Sequence, residues 1–312
     1  MFFSKNTRKC LAAALIIGWV TILAFLTCPA KQLCRDRRIL MGTFWEVISC
    51  DKRAGSIVFA EASRIEELLS KYRKDSEIWR LNRSGKLKVS PDTFYIIKKS
   101  KEFWQESEGA FDISVSPLVE LWGFANQKYI VPSDEAIKTA LRLIGSDKII
   151  LHEKDNVVEF KLPGMKIDLG AIAKGFALDC AIRKLKENGI NNCLINAGGQ
   201  IYALGDKCGK AWRIAIKDPC REGVFYNLEL KNQSVSTSGD YEQFFIKNKK
   251  RYCHILDPKK GYPVSSSGYA AVTVIADTGL EADALSTAIF VLGPKKYDKL
   301  LNKFPKVKVK IY

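Results

Sequence analysis

Apolar side chains recur at three- and four-residue steps along several stretches of the chain, a spacing that predicts helices with a buried face. Local signals mark some of these stretches: Ser90 and Pro91 begin one, and Gly189 and Gly293 end two others. The helices predicted in this way span residues 54–72, 90–109, 171–189 and 281–294, with a shorter helix within 73–85.

Other stretches alternate between apolar and polar positions or form short apolar runs, which predicts strands. Residues 37–50 are predicted to form one strand, and residues 151–162 a hairpin. Further strands are predicted within 191–205, 211–219, 224–239, 269–277 and 306–312. Because strands and helices follow one another without a regular βαβ rhythm, we expect an α+β fold of mixed sheets with flanking helices.

Residues 1–35 are predicted to be a signal or membrane anchor with a linker, and residues 36–312 to be the folded domain. Basic residues precede an uncharged stretch at 10–30, which as a helix would span roughly 30 Å, about one hydrocarbon core. A cleaved signal peptide and a lipid on Cys28 are alternatives. We expect an anchor in the cell (inner) membrane, with the domain on the extracytoplasmic, periplasmic side.

The chain is basic, with 50 Lys and Arg against 34 Asp and Glu and a formal net charge of +16. The basic residues are scattered and are not interleaved with aromatic ones, so nucleic acid is not an expected partner. Such a surface suits an anionic membrane or a phosphorylated small molecule. The cysteines outside the anchor form no CxxC pair, which argues against a zinc site. A single disulfide between Cys208 and Cys220 is an alternative for a domain outside the cytoplasm.

Two polar residues interrupt the apolar helix predicted at 281–294. Asp283 and Thr287 are four residues apart and therefore project from the same helical face. Their oxygens together suit a hard cation such as Mg²⁺, which often keeps water or substrate phosphates in its shell. Alternatively, Asp283 accepts hydrogen bonds from the protein and Thr287 bonds back into its own helix.

Charged and titratable side chains elsewhere indicate an anion site and a base. Asp168 is predicted to end a strand, and Lys174 to lie on the first turn of the next helix, where free N–H groups favour an anion. Asp168 as a helix cap and Lys174 as a surface charge are the alternatives. His254, one of two histidines, suits a general base near neutral pH or a structural role.

Glycine and aromatic residues mark two further candidate stretches. The Gly198-Gly199 pair permits close approach of a ligand to the backbone, or merely a tight turn. Phe111 and Trp122 either flank a planar ligand or belong to the core.

Seven stretches, in this order, resemble the motifs of the ApbE family, the FAD:protein FMN transferases. They are MGTFWEV, YRKDSEIWRLN, GAFDISVSPLVELWGF, IDLGAIAKGFALD, NAGGQIYALG, HILDPKKGYPV and VTVIADTGLEADALST. The resemblance covers about residues 40 to 294. Ser116, in the third motif, stands where the family usually has glycine.

The resemblance implies a T-fold-like flavin transferase that requires Mg²⁺, with Mn²⁺ as an alternative. Such enzymes split FAD, attach FMN to a Thr or Ser hydroxyl of a target flavoprotein and release AMP. Carried over by motif, the side chains of Asp283 and Thr287 and the carbonyl of Ala171 are implied metal ligands, and His254 is the implied base. The implied FAD contacts are Met41, Tyr72, Ala110, Phe111, Asp112, Asp168, Lys174 and Leu256.

Two other functions stay open at this level. With water replacing the acceptor hydroxyl, the same metal site would serve an FAD pyrophosphatase that yields FMN and AMP. A non-catalytic FAD-binding protein would hold FAD without releasing AMP. The presence of Asp283, Thr287 and His254 favours an enzyme, and Tyr72 at the flavin position favours transfer on family grounds.

Overall fold

The computed structural model describes residues 32–217, 223–264 and 269–312. Nearly all of the predicted anchor lies outside the described residues, and so does Cys220, so the anchor and the Cys208–Cys220 disulfide stay predictions. Within the described ranges, no helix has both the length and the apolar character needed to cross a bilayer.

A seven-stranded antiparallel sheet forms the centre of the fold. Three smaller antiparallel sheets accompany it. The spatial order of the central sheet is β1 (Cys34–Leu40), β2 (Thr43–Ser49), β6 (Cys193–Ala197), β7 (Gln200–Leu204), β10 (Gln233–Gly239), β13 (Ala271–Ala276) and β14 (Lys308–Ile311). The smaller sheets are β3 (Lys86–Lys88) with β5 (Val157–Phe160) and β4 (Ile149–His152), β8 (Trp212–Lys217) with β9 (Val224–Leu230), and β11 (Phe244–Lys247) with β12 (Lys250–Cys253).

Eight α-helices occur among the described residues, and the α+β prediction is confirmed. They are α1 (Ala54–Leu69), α2 (Glu77–Ser84), α3 (Pro91–Glu106), α4 (Ser116–Leu121), α5 (Asp134–Leu141), α6 (Ala173–Glu187), α7 (Gly279–Leu292) and α8 (Asp298–Leu301). The start signal of α3 is confirmed, because Pro91 is its first residue and the Ser90 hydroxyl accepts from the N–H of Thr93. The stop at Gly293 is also confirmed, since this residue follows α7 with φ of 74°.

The stretch at 37–50 is a hairpin, and the prediction of one strand is wrong. β1 and β2 pair with Leu40 opposite Thr43, and the chain reverses at Met41 and Gly42. Both turn residues have positive φ, 51° and 69°, as the common two-residue hairpin loops require. Met-Gly is not among the usual turn dipeptides, so the alternating pattern runs through it without a visible break.

Helices α1, α6 and α7 cover one face of the central sheet and enclose the main core. The β8–β9 ribbon packs its apolar side chains against residues of β7, β10 and β13 that point the other way. Helix α7 contacts α6 along its side and β10 and β13 beneath it. This packing brings the first turn of α6, the polar face of α7 and the end of β10 to one place.

Candidate active site

A cavity of about 260 Å³ lies where these three elements meet. Its wall is completed by the loops that follow α1, α3 and β12 and by the loop that precedes α6. All the predicted site residues except Met41 line it: Tyr72, Ala110, Phe111, Asp112, Asp168, Ala171, Lys174, His254, Leu256, Asp283 and Thr287. The structure thus gathers these residues from five separate motifs around a single space, while their individual roles stay predictions.

Met41 lies at the β1–β2 turn, and its partly buried side chain packs against the main core. Gly198, which lines the cavity, donates its N–H to the carbonyl of Phe44 at 2.9 Å. A Cβ on Gly198 would lie 2.1 Å from Thr43 Oγ1, so glycine is required for this contact. The hairpin that carries Met41 therefore abuts the cavity wall, and Met41 itself is not part of that wall.

Asp283 is almost fully buried, with 5% of its surface exposed. Its Oδ2 accepts from the Gly175 N–H at 3.0 Å, and its Oδ1 accepts from the Ser236 hydroxyl at 3.4 Å. Burial raises the pKa of Asp283, against the opposing influence of Lys174, of the Gly175 N–H and of Ser236. A buried carboxylate is costly unless it is paired, which favours a cation beside it.

The bond from Gly175 exists because α6 and α7 meet backbone to backbone. A Cβ on Gly175 would lie 2.2 Å from the carbonyl oxygen of Gly279, the first residue of α7. On the far side of the same contact, the Asp179 carboxylate accepts from the N–H groups of Gly279 and Leu280 at 2.6 and 2.9 Å. These contacts fix the start of α7 and hence the position of Asp283.

Thr287 bonds to a neighbouring strand. Its hydroxyl oxygen lies 3.2 Å from Ser238 Oγ on β10, which also lies 2.9 Å from Ser286 Oγ. The alternative that Thr287 bonds back into its own helix is not what the structure shows; Ser286 is the residue whose hydroxyl donates to the carbonyl of Asp283, at 2.9 Å. Alternate serines of β10 thus supply a hydroxyl layer beneath the polar face of α7.

Asp168 lies in an irregular segment before α6, so the prediction that it ends a strand is wrong. It does not cap the helix either, because the cap position is Ile172. Its Oδ1 accepts from the Gly170 N–H at 2.9 Å, and its Oδ2 lies 2.5 Å from the ammonium of Lys71. Asp168 therefore stabilises the loop that leads to Ala171, and Lys71 of the α1–α2 loop fixes the position of its carboxylate.

Lysines supply two positive charges to the cavity wall. Lys174 is the second residue of α6, as predicted, and its ammonium lies 3.4 Å from the Gly170 carbonyl. The Lys71 side chain is only 11% exposed. Burial alone would lower the pKa of Lys71, but the Asp168 carboxylate outweighs it and the pKa is raised, so Lys71 stays charged.

His254 directly follows β12, and its Nδ1 lies 3.1 Å from the carbonyl oxygen of Gln243. A carbonyl can only accept, so Nδ1 carries the hydrogen and Nε2 keeps a free lone pair. Burial lowers the pKa of His254, and the charge of Lys174 lowers it further. The ring is therefore neutral at pH 7, the state that a general base requires.

The aromatic candidates differ in position: two line the cavity and one lies in a separate core cluster. Phe111 is buried in the cavity wall, and Tyr72 stands at the rim with 66% of its surface exposed. Trp122 is fully buried in a different cluster, where its indole N–H donates to the Gly261 carbonyl at 2.9 Å. The core alternative is thus correct for Trp122, and it does not flank the cavity.

Asp112 has a structural set of partners. Its carboxylate accepts from the backbone N–H and hydroxyl of both Ser114 and Ser146. Burial raises the pKa of Asp112 in spite of these four bonds. Asp112 therefore stabilises the conformation of the loop that contains Ala110 and Phe111, and its contact with FAD stays a prediction.

The sequence reasoning missed several polar residues of the cavity wall. They are Lys71, Gln200, Ser236, Ser238, Glu242 and Gln243. Two of these could have been suspected from the sequence. Lys71 directly precedes Tyr72, the first residue of the second family motif, and Gln200 directly follows the Gly198-Gly199 pair. The serines of β10 follow a period of two, but nothing in that pattern says which face meets α7.

The sequence profile of the ApbE family matches residues 41–311. The chain belongs to the ApbE family. Its ApbE relatives include the FAD:protein FMN transferases of Haemophilus influenzae, 35% identical over 93% of this chain and 90% of that protein, and of Escherichia coli K12, 33% identical over 88% and 84%.

Solved ApbE structures share the fold. The ApbE protein of Thermotoga maritima superposes with a TM-score of 0.83 at 35% identity, covering 90% of this chain and 94% of that one. The flavin transferase ApbE of Vibrio cholerae gives 0.80 at 29% identity, with 90% and 93% covered. The family prediction is confirmed, the chain is an ApbE-family enzyme, and the similarity supports flavin transfer.

Proposed function

We propose that this ApbE enzyme transfers FMN from FAD to a Thr or Ser hydroxyl of a target flavoprotein, in a Mg²⁺-dependent reaction that releases AMP. The main support is the convergence on one cavity of a buried carboxylate, hydroxyl oxygens, two lysines and a neutral histidine. Each of these groups suits a different need of phosphoryl transfer from an anionic diphosphate.

The surroundings of Asp283 fit a hard divalent cation. Asp283, Thr287 and Ala171 line the same cavity, and Mg²⁺ prefers oxygen ligands of the kind that their carboxylate, hydroxyl and carbonyl groups offer. Mn²⁺ accepts the same ligands. When bound there, the cation would offset charge on the diphosphate during transfer.

The chain's own residues supply the remaining steps. Lys174 and Lys71 attract the anionic diphosphate of FAD to the wall they share. His254 Nε2 takes the proton of the acceptor hydroxyl, a contribution worth about 10²–10⁴-fold in rate. The acceptor oxygen bonds to the phosphorus of the FMN half, the bond from that phosphorus to the bridging oxygen breaks, and AMP leaves with the electron pair.

We further propose that the segment at 1–35 anchors the enzyme to the cell (inner) membrane, with the catalytic domain on the extracytoplasmic side. The uncharged stretch at 10–30, with basic residues on both sides of it, supports the anchor. The net charge of +16 also suits an anionic lipid surface. The partners are then FAD, a flavoprotein acceptor and the membrane.

The test incubates the full chain in detergent with FAD, Mg²⁺ and a candidate acceptor protein, and measures the intact mass of the acceptor together with AMP and free FMN. Wild type should add one FMN to the acceptor and release one AMP for each. Asp283→Ala should abolish both products. His254→Ala should slow acceptor labelling more than it weakens FAD binding.

The products separate the alternatives. AMP and free FMN without labelling of any Thr- or Ser-bearing acceptor would indicate the pyrophosphatase and contradict the transferase. Bound FAD with no AMP in the presence of Mg²⁺ would contradict both enzymes. Activity that survives thorough chelation would contradict the dependence on a cation.

A further inference from the structure

Gln200 is the first residue of β7 and has 3% of its surface exposed. It lines the cavity beside Asp283. Its side-chain Oε1 is buried and has no hydrogen-bond partner among the described residues. A buried carbonyl oxygen without a donor is destabilising, and a bound group that pairs with it would remove that cost.

An exchange of the amide nitrogen and oxygen does not remove the problem. The Nε2 of Gln200 donates to the carbonyl oxygen of Gly279 at 3.0 Å. This partner can only accept, so the nitrogen must face it. The oxygen is thereby fixed on the other side, among groups that offer it no hydrogen.

The residues around Gln200 carry several oxygen atoms that could bind a cation. Gln200 shares the cavity wall with Asp283, Thr287 and Ala171, the residues proposed to hold the cation. An amide oxygen is a ligand that hard cations accept, and it brings no additional negative charge. A cation there would therefore pair the buried Asp283 carboxylate and give the amide oxygen of Gln200 a partner.

We propose that Gln200 is a further oxygen ligand of the cation, bound through Oε1, while its Nε2 is held by the carbonyl of Gly279. This rests on the proposed cation-dependent function and extends it to a residue on β7. The cation site then draws on the start of β7 as well as on α7 and the loop before α6.

The experiment measures Mn²⁺ binding to the full chain, without FAD, by the electron paramagnetic resonance signal of free Mn²⁺, with Mg²⁺ as competitor. Gln200→Leu should weaken binding about 10- to 100-fold, the range typical of losing a group at a metal site. Gln200→Glu keeps an oxygen and adds charge, so it should bind Mn²⁺ at least as tightly as wild type.

Gln233→Leu is the matched control, because Gln233 lies on β10 outside the cavity wall, and it should leave binding unchanged. Thermal unfolding of each variant shows that it is folded. Unchanged binding in Gln200→Leu would overturn the proposal. Equal weakening in Gln200→Leu and Gln200→Glu would also overturn it, because only the N–H to Gly279 would then matter. Absence of Mn²⁺ binding in wild type would instead refute the cation-dependent function itself.

Discussion

At the scale of single residues, the site is defined by side chains whose ionisation is set by what surrounds them. His254 is held neutral by burial and by Lys174, whereas Lys71 is held charged by Asp168 in spite of burial. The carbonyl that faces the histidine does not offset the burial of the ring, whereas the Asp168 carboxylate, together with Tyr72, outweighs the burial of the lysine.

The pKa of His254 should lie below 6.5, its ordinary value, because burial and Lys174 both favour the neutral ring. Activity that depends on the neutral base should then persist as the pH falls past 6.5 and decline only at lower pH. Histidine NMR titration of the full chain measures this directly. With only two histidines present, a His152→Gln variant assigns the signals.

Lys174→Met is the companion variant, and it should raise the pKa of His254 by removing a nearby positive charge. A wild-type His254 that titrates at or above 6.5 would contradict the assignment of burial as the main cause. An unchanged pKa in Lys174→Met would show that this lysine does not act on the ring.

Lys71→Met should destabilise the fold by about 1–3 kcal/mol, because it leaves the Asp168 carboxylate without its charged partner, and it should weaken FAD binding. Urea unfolding and flavin fluorescence measure the two effects. Lys98→Met is the matched control, since the Lys98–Glu153 pair has a similar distance of 2.7 Å but is solvent-exposed.

The double variant Lys71→Met with Asp168→Asn sharpens this test. If the cost comes from an unpaired charge, removing that charge should recover part of the stability lost in Lys71→Met. Full additivity of the two changes would show that the ion pair contributes nothing of its own.

At the scale of elements, the site depends on the contact between α6 and α7. Asp179 holds the first N–H groups of α7 from behind, and burial raises its pKa to about 6 although it accepts two backbone bonds. Gly175 and Gly279 let the two backbones touch. The geometry at Asp283 therefore reflects backbone packing as well as the choice of side chain.

Gly175→Ala tests this contact. In a helix with free space, replacing glycine by alanine stabilises by up to about 1 kcal/mol. Here the added Cβ would meet the Gly279 carbonyl at 2.2 Å, and overpacking typically costs about 1–3 kcal/mol. We expect a lower melting temperature and weaker Mn²⁺ binding. A melting temperature at or above that of wild type would contradict the close approach.

The helices could be predicted from the sequence because their signals are local. Apolar spacing, the Ser90 cap and the stop at Gly293 depend only on neighbouring residues. The β1–β2 turn escaped because positive φ at Met41 leaves no mark in the residue type. Strand order escaped as well, since β2 pairs with β6 through residues far away in the chain.

At the scale of the whole molecule, the site is assembled from motifs spread over most of the chain. Sequence reasoning placed eleven of its twelve candidate residues on the cavity wall through family resemblance, but it gave no distances. The only signals for Lys71 and Gln200 were their neighbours Tyr72 and Gly199, because their partners, Asp168 and Gly279, are brought near only by the fold.

The anchor proposal also belongs to this scale. The full chain should float with liposomes of anionic lipid and resist extraction by carbonate, whereas a chain that begins at residue 32 should remain in the supernatant. Cys28→Ser separates the two kinds of anchor, because it would release a lipid-anchored protein and leave a transmembrane one in place. A full chain that stays in the supernatant would contradict both.

The hydroxyls beneath α7 have a consequence of their own. They connect Thr287 to Ser238, Ser238 to Ser286, and Ser286 to the backbone carbonyl of Asp283. If a cation takes the Thr287 oxygen, the hydrogen of Thr287 turns toward Ser238 and that of Ser238 toward Ser286, whose own hydrogen already points to the carbonyl of Asp283. Binding of the cation would thus change the direction of the hydroxyl hydrogens of Thr287 and Ser238 and need not move any heavier atom. Neutron diffraction, which locates hydrogens, would detect this change, whereas an X-ray map at ordinary resolution would not.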